Sequence, residues 1–314
     1  MKSEAVFILL FFCLIMIILI VKIVSRESID KVEYVVDDLT EMNDYIAKDT
    51  TFQEDDLVLD ELVQEIVVDT RDYPTPESPW VAIIIDDFGP PWKRSVTDGF
   101  LNSPYDITIS IIPGNLQSKS IAERAIIADK EVFIHLPMEP EEEVAMSERD
   151  MLFVYYDSLE VEVIIRRVLE EIPNAVGCNN HMGSKATRDE ELMRCLAYSL
   201  KNNNLVFVDS RTVHQSVALP IMKEYQIPSV GRDVFLDTEL DTSHISTQLS
   251  TLIDIAKRRG WSVGIGHTKE QTLSVLIKEL PRYEEDNIRF VSVGKLINTL
   301  NNKTVVSHTL LFGE

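Results

Sequence analysis

Cysteine, positive charge and low-complexity sequence are what this 314-residue chain has least of. Three cysteines, with Cys13 inside a hydrophobic run, cannot build a disulfide scaffold. Cys178 and Cys195 could pair in an oxidising compartment, but their spacing carries no such signal. Thirty Lys and Arg stand against 52 Asp and Glu, a formal net charge of −22. That balance argues against nucleic acid or an anionic membrane surface as the main partner, because phosphates would be repelled. The composition, 45% apolar and 26% charged, excludes collagen-like and wholly disordered chains. The length suffices for one large domain or two medium ones with a sizeable core.

The chain divides into three parts. Residues 1–26 contain Ala5 to Val24, a run of twenty residues in which only Lys22 is charged. At about 1.5 Å per helical residue, such a run spans a hydrocarbon core of about 30 Å. A cleaved signal peptide has a shorter apolar region and a small-x-small cleavage site, which is missing after Val24. One uncleaved transmembrane helix is therefore the expectation. Charge does not fix its orientation, since Lys2 precedes the run while Lys22, Arg26 and Lys31 lie at or beyond its end. The rest of the chain is expected in the periplasm or otherwise outside the cytoplasm. Residues 27–79 hold 17 acidic and 3 basic residues and end in Tyr73-Pro74-Thr75-Pro76-Glu77-Ser78-Pro79. This reads as a stiff acidic linker holding the next domain off the membrane, or as a docking segment for a partner.

Residues 80–314 carry the chemistry. Strand candidates are Val81–Asp86, Asp106–Ile111, Glu131–His135, Ala175–Gly177, Leu205–Val208, Ser229–Gly231, Trp261–Gly266 and Ile288–Val291. Helical patterns cover Ser118–Asp129, Leu159–Glu171, Asp189–Asn202, Ser216–Tyr225, Ser246–Arg259, Lys269–Leu280 and Val293–Leu300. Thr187-x-x-Glu190 predicts a capping box at one helix start. The alternation predicts an α/β domain with a mainly parallel sheet, either open and doubly wound or closed into a barrel. In both, the active site lies at the carboxyl ends of the strands.

The polar residues follow that rule. Asp86 and Asp87 end the first strand and His135 ends the third. His181 follows the Gly177 strand, Asp209 follows Val208, and His267 follows Gly266. His214, His244 and His308 lack such a position and receive no role. Two histidines and a carboxylate form a common ligand set for a catalytic divalent metal such as Zn, Fe, Co or Ni. A metal so held lowers the pKa of its water towards about 7. One aspartate of the pair can then ligate while the other acts as base or orients a ligand. Plainer roles compete with each of these. Asp86-Asp87 can cap the turn before Gly89-Pro90, and His135 can be a satisfied core residue beside Pro137. His181 can bond locally in a loop, and His267 can cap the helix near Lys269.

Taken together, the motifs resemble the divergent polysaccharide deacetylase family, a branch of the polysaccharide deacetylase (carbohydrate esterase) superfamily. They are Ile84-Ile85-Asp86-Asp87-Phe88-Gly89, Ile109-Ser110-Ile111-Ile112-Pro113, His135-Leu136-Pro137-Met138-Glu139-Pro140, Asn179-Asn180-His181-Met182-Gly183-Ser184, Val208-Asp209-Ser210-Arg211-Thr212, Arg232-Asp233-Val234-Phe235-Leu236-Asp237 and Gly264-Ile265-Gly266-His267. The resemblance covers about Pro79 to Leu300 and implies a distorted (β/α) barrel of about seven strands. It implies Asp86 as base and Asp87 as metal ligand. The superfamily's His-x-x-x-His begins at His135, but its second place is Glu139. Either Glu139 ligates or His181 supplies the third ligand, and His181 is favoured because its block belongs to the divergent branch. His267 would protonate the leaving group. Asp209 and Arg211 would orient that histidine or contact substrate, and Arg232 and Asp233 would pair with each other or with a catalytic carboxylate. Trp92, Tyr155 and Tyr156 are candidates to stack on a sugar, or else partial core.

The implied activity is metal-assisted hydrolysis of an N- or O-acetyl group on a cell-envelope polysaccharide or peptidoglycan-type glycan, with zinc the default metal. Two other readings stay open: a non-catalytic glycan-binding module on a degenerate deacetylase fold, and another metal hydrolase acting on phosphoesters.

Overall fold

Trp80-Val81-Ala82-Ile83-Ile84-Ile85 is apolar at every position, a pattern that requires cover on both faces of a strand. The computed structural model, which describes residues 74–142 and 149–301, provides that cover. β1 (Trp80–Phe88) lies between β2 (Thr108–Ile111) and β8 (Trp261–His267). The sheet continues through β3 (Val132–Met138), β4 (Ala175–Met182), β5 (Val206–Asp209) and β6 (Ser229–Gly231), and beyond β8 through β7 (Val234–Phe235). A short β9 (Arg289–Val291) pairs with the first residues of β1. Every pairing is parallel.

The order β6-β5-β4-β3-β2-β1-β8-β7 is sequential rather than reversed at a switch point, so the doubly wound alternative falls. Right-handed crossovers in one direction place the connecting helices on one face and curl the sheet. The two edge strands β6 and β7 are separated in sequence only by Arg232 and Asp233. Their amides donate to Asp209 O on β5 at 3.0 Å and Val263 O on β8 at 2.8 Å. The result is an open (β/α) barrel whose edges meet in one short stretch of chain. Among the described residues it has nine strands rather than about seven; β9 falls within the expected Ile288–Val291 strand, whereas the two-residue β7 is too short to leave a periodic signal.

The helices are α1 (Arg94–Leu101), α2 (Ser118–Ile127), α3 (Ser158–Glu171), α4 (Glu190–Asn202), α5 (Ala218–Glu224), α6 (Thr242–Arg259), α7 (Glu270–Glu285) and a last one, α8, over 293–301. α1 was not expected from the sequence; it buries Val96, Phe100 and Leu101. The expected Thr187–Glu190 capping box does not form. Asp189 caps α4 by accepting from Leu192 N, while the Thr187 hydroxyl donates to Gly183 O at 2.8 Å. A capping box does form at α3, between Asp157 and Glu160.

Alternation along each strand sorts the core into two. Val81, Ile83 and Ile85 face the helices, packing with residues such as Ile121, Ile165 and Leu252. Trp80, Ala82 and Ile84 face the barrel interior with Phe133, Val208, Val263 and Ile265, and Leu296 and Ile297 of α8 belong to the same cluster. The interior is tightly filled. A Cβ at Gly177 would stand 2.6 Å from Val206 Cγ2 and 2.7 Å from Phe133 Cζ. Continuing the inward positions by two residues gives Asp86 after Ile84, His135 after Phe133, Asn179 after Gly177 and His267 after Ile265. Thus the apolar filling ends in a polar layer at the carboxyl ends of the strands.

The expected anchor over 1–26 and the linker up to residue 73 lie outside the described residues. Among the described residues no helix is long and apolar enough to cross a membrane. The described end of the linker is not an extended spacer. Thr75 and Ser78 bond to each other across a turn, and Asn287 Nδ2 donates to Glu77 O at 2.7 Å, which docks the segment on the barrel. Cys178 and Cys195 are both free thiols.

Candidate active site

β1 and β2 run in register at Ile85↔Ile109 and resume at Phe88↔Ile111, so β1 holds one extra residue between those points. Asp87 lies in this bulge with φ of 64°, a left-handed conformation that aspartate tolerates better than most residues. The bulge breaks the strand's alternation, so Asp86 and Asp87 both reach the barrel mouth. Backbone partners fix both residues: Trp92 Nε1 donates to Asp87 O at 2.6 Å, and the Thr268 hydroxyl to Asp86 O at 2.8 Å.

Around Asp87 stand His135 of β3 and His181 of β4. One ligand atom from each of the three lies within 4.8 Å of the others. His181 Nδ1 is 3.0 Å from His135 Nε2 and 3.4 Å from Asp87 Oδ1. His135 Nε2 is 3.5 Å from Asp87 Oδ1. Two ligands about 2.1 Å from a common tetrahedral ion stand about 3.4 Å apart, so this spacing suits a shared divalent cation. Asp87 Oδ1 is buried and takes no hydrogen bond, a costly arrangement that a cation would relieve. Burial alone would raise Asp87. The nearby His135, with His267 and His181, outweighs it and holds the carboxyl well below the usual range. The donor set therefore fits a transition-metal ion of the zinc class.

Glu139 is not part of this cluster. Its Oε1 accepts from Lys185 Nζ at 2.5 Å and its Oε2 from Val154 N at 2.9 Å, so it ties down the loop after β3.

Asp86 is 1% exposed. Asn179 Nδ2 stands 3.1 Å from each of its carboxylate oxygens. The Ser110 hydroxyl donates to Asn179 Oδ1 at 2.6 Å, and Ser210 Oγ lies 3.1 Å from Asn179 Nδ2. Burial raises Asp86 above the ordinary carboxylate value, against the opposing charges of His135 and His267. A buried carboxylate raised in this way is a stronger base than an exposed one, as a proton acceptor must be.

His267 is the Cα register partner of Asp86 across β1 and β8. Its Nδ1 lies 2.7 Å from Asp237 Oδ1. Asp237 Oδ2 accepts from the His267 amide at 2.7 Å and from the Thr272 hydroxyl at 2.5 Å. The Phe235 ring stacks on the imidazole, with centroids 5.9 Å apart. Burial would lower His267, but the Asp237 hydrogen bond and charge, with Asp86 and Asp87, push it up to about 9.

Other assignments require correction. The carboxylate that orients His267 is Asp237, not Asp209. Asp209 is occupied in its own turn, accepting from Arg211 N and the Ser216 hydroxyl, both at 2.8 Å. Arg232 and Asp233 do not pair with each other. Asp233 holds Arg259, at 2.5 Å, while Arg232 Nε donates to Ser210 O at 2.7 Å. Trp92 is half-buried beside Asp87, with Lys269 Nζ 4.2 Å above its ring. Tyr155 is 71% exposed and stacks on Phe153, while Tyr156 packs partly against the core. Asp237, Asn179 and Ser110 all lie in motifs quoted above but received no role. The available signal was a hydroxyl and an amide at inward positions of two strands, β2 and β4, the second of which ends beside His181.

A family model described as "Divergent polysaccharide deacetylase" matches residues 83–297, which include every residue of this constellation. An uncharacterized protein of Haemophilus influenzae is 32% identical over 237 residues, covering 74% of this chain and 82% of its own. The uncharacterized protein YibQ of Escherichia coli is 34% identical over 218 residues, 69% of this chain and 67% of its own. Among solved structures, an uncharacterized Agrobacterium tumefaciens protein shares the fold, with a TM-score of 0.64 and 20% identity over 70% of this chain and 89% of that one. With the family's motifs folded into one polar layer, and its model spanning the whole barrel, the chain belongs to the divergent polysaccharide deacetylase family.

Proposed function

We propose that this protein is a metal-dependent hydrolase that removes acetyl groups from a cell-envelope polysaccharide. The observation that carries the reading is the convergence of Asp87, His135 and His181 on one small volume, with Asp86 on one side and an Asp237-bound His267 nearby. Asp87, His135 and His181 would hold the cation. When bound there, a zinc-class ion supplies Lewis acidity, lowering the pKa of a water and polarising the acetyl carbonyl.

The remaining chemistry falls to the chain's own side chains. Asp86 accepts the proton of the attacking water, while Asn179 keeps its carboxylate in one orientation. As the C–N or C–O bond breaks, His267 gives its proton to the departing amine or alcohol. A histidine raised to about 9 is protonated at neutral pH, as a general acid must be. Asp237 fixes its ring and stabilises its charge. A glycan-binding module would need neither the buried base nor the oriented acid, which favours the hydrolase. The apolar run at residues 5–24 supports attachment to the membrane, and an envelope glycan as substrate calls for a barrel outside the cytoplasm.

The direct test is acetate release from N- and O-acetylated glycans by the full chain, with and without added zinc. Release that needs metal and is lost in Asp86→Asn supports the proposal. A metal-loaded, folded protein that binds such glycans but releases no acetate would turn it into a binding module.

A further inference from the structure

At the barrel seam, two arginines hold each other's backbone. Arg211 Nη1 donates to Arg232 O, and Arg232 Nη2 donates to Arg211 O, both at 3.0 Å. Arg232 is consumed by the fold: its Nε takes Ser210 O at 2.7 Å, and its guanidinium lies 3.6 Å over the Phe235 ring. Arg211 is exposed and spends one of its five N–H donors on Arg232 O. It is held in place with φ of 50°, a strained conformation secured by the Asp209 carboxylate on its amide. Its guanidinium lies so close over Gly231 that a Cβ there would stand 2.4 Å from Arg211 Nε.

Among the described residues neither arginine makes an ion pair. This stands out in a chain of net charge −22, where nearby bases are neutralised. Arg259 has Asp233 and Lys185 has Glu139, each at 2.5 Å. Two adjacent guanidinium groups repel each other; burial and the Arg211 charge push Arg232 down to about 10, against the attraction of Asp209, Asp233 and Asp86, none of which pairs with it directly. The pair also borders the reaction site by three routes. Ser210, next to Arg211, touches Asn179, which touches Asp86. Phe235 lies between Arg232 and His267. The Thr212 hydroxyl donates to Met182 O, one residue beyond His181, at 3.0 Å.

We propose that Arg211, backed by Arg232, is a subsite for a carboxylate-bearing sugar, so that the substrate is an acidic glycan. A planar guanidinium with free parallel N–H groups matches a carboxylate in a two-pronged pair, which a neutral sugar hydroxyl does not replace. This rests on the reading above only in that a glycan lies across the barrel mouth.

The test is direct binding by the full chain in detergent. The first probe is an oligosaccharide alternating N-acetylated and carboxylate-bearing sugars; the second is the same molecule with its carboxylates reduced to alcohols. Wild type should bind the acidic probe about tenfold more tightly, and the advantage should shrink in about 0.5 M salt. Arg211→Gln should abolish the advantage while leaving affinity for the reduced probe unchanged, and Arg211→Lys should keep part of it. Equal affinities in wild type, no binding of either probe, or a loss in Arg211→Gln that is the same for both probes overturns the proposal. If Arg211→Gln does not fold, the wild-type comparison alone decides. Acetate release separates the two readings. Equal release from both probes, with equal binding, sinks the acidic subsite and leaves the hydrolase. A carboxylate preference in binding, with no acetate from either probe under metal, does the reverse.

Discussion

Asn179 Nδ2 stands 3.1 Å from both carboxylate oxygens of Asp86, and Asn179 is itself held by the Ser110 hydroxyl at 2.6 Å. A base at the bottom of a barrel mouth thus has its orientation set by a neutral amide two strands beyond its nearest neighbour β2. Removing that amide leaves a buried carboxylate without its donor, at a cost of about 1–3 kcal/mol. Asn179→Ala should therefore lower kcat by about 100-fold while keeping bound metal. Parallel measurements of kcat, KM and metal content decide it. Full activity would show that Asp86 needs no positioning.

The division of labour between the aspartates is separable. Asp87→Ala and His135→Ala should lose the metal, whereas Asp86→Asn should retain it and lose turnover. Equal metal loss in all three would contradict the assignment of Asp86 as base.

Glu139→Ala should change metal content little, because its carboxylate is engaged by Lys185 and Val154 N. It should instead lower stability by about 1–2 kcal/mol, through the unanchored loop. Urea denaturation beside metal analysis checks both halves. Metal loss as large as in His135→Ala would move Glu139 into the ligand set.

The Asp237–His267 pair gives stability a definite pH dependence. His267 is raised from 6.5 to about 9, so its contribution is full below about pH 6.5 and is lost as pH rises through about 9. Asp237 is lowered from 3.8, so its contribution is present above that value and is lost only as pH falls below it. Asp237→Asn should therefore melt well below wild type near pH 6.5, with a difference that narrows towards pH 9.5. A Tm difference that does not vary with pH would mean that the pair is not charged in the folded protein.

Much of this site was legible because barrel strands alternate. Val81-Ala82-Ile83-Ile84-Ile85 announces a buried strand, and the aspartates at its end fall where the apolar filling stops. The same logic exposed His135 and His267. It did not reach Asn179, because Gly177-Cys178-Asn179-Asn180-His181 lacks the apolar pattern of a strand, although β4 runs on to Met182. Its inward residues face other polar groups, so polarity there does not mark a loop. Asp237 was missed because β7 is two residues long and carries no period. Asp209 looked equivalent to the other strand-end acids; only its hydrogen bonds reveal a turn residue. The extra residue in β1 at Asp87, which brings two consecutive aspartates to one mouth, is a matter of register against β2 and has no local sequence signature.

The most direct measurement is metal analysis of the full chain, purified without a histidine tag, beside its His181→Ala variant. About one equivalent of zinc or another transition metal in wild type, lost in the variant, is the expected result for a site built from Asp87, His135 and His181. No metal in the wild type after reconstitution with zinc, or equal metal in both proteins, would contradict it.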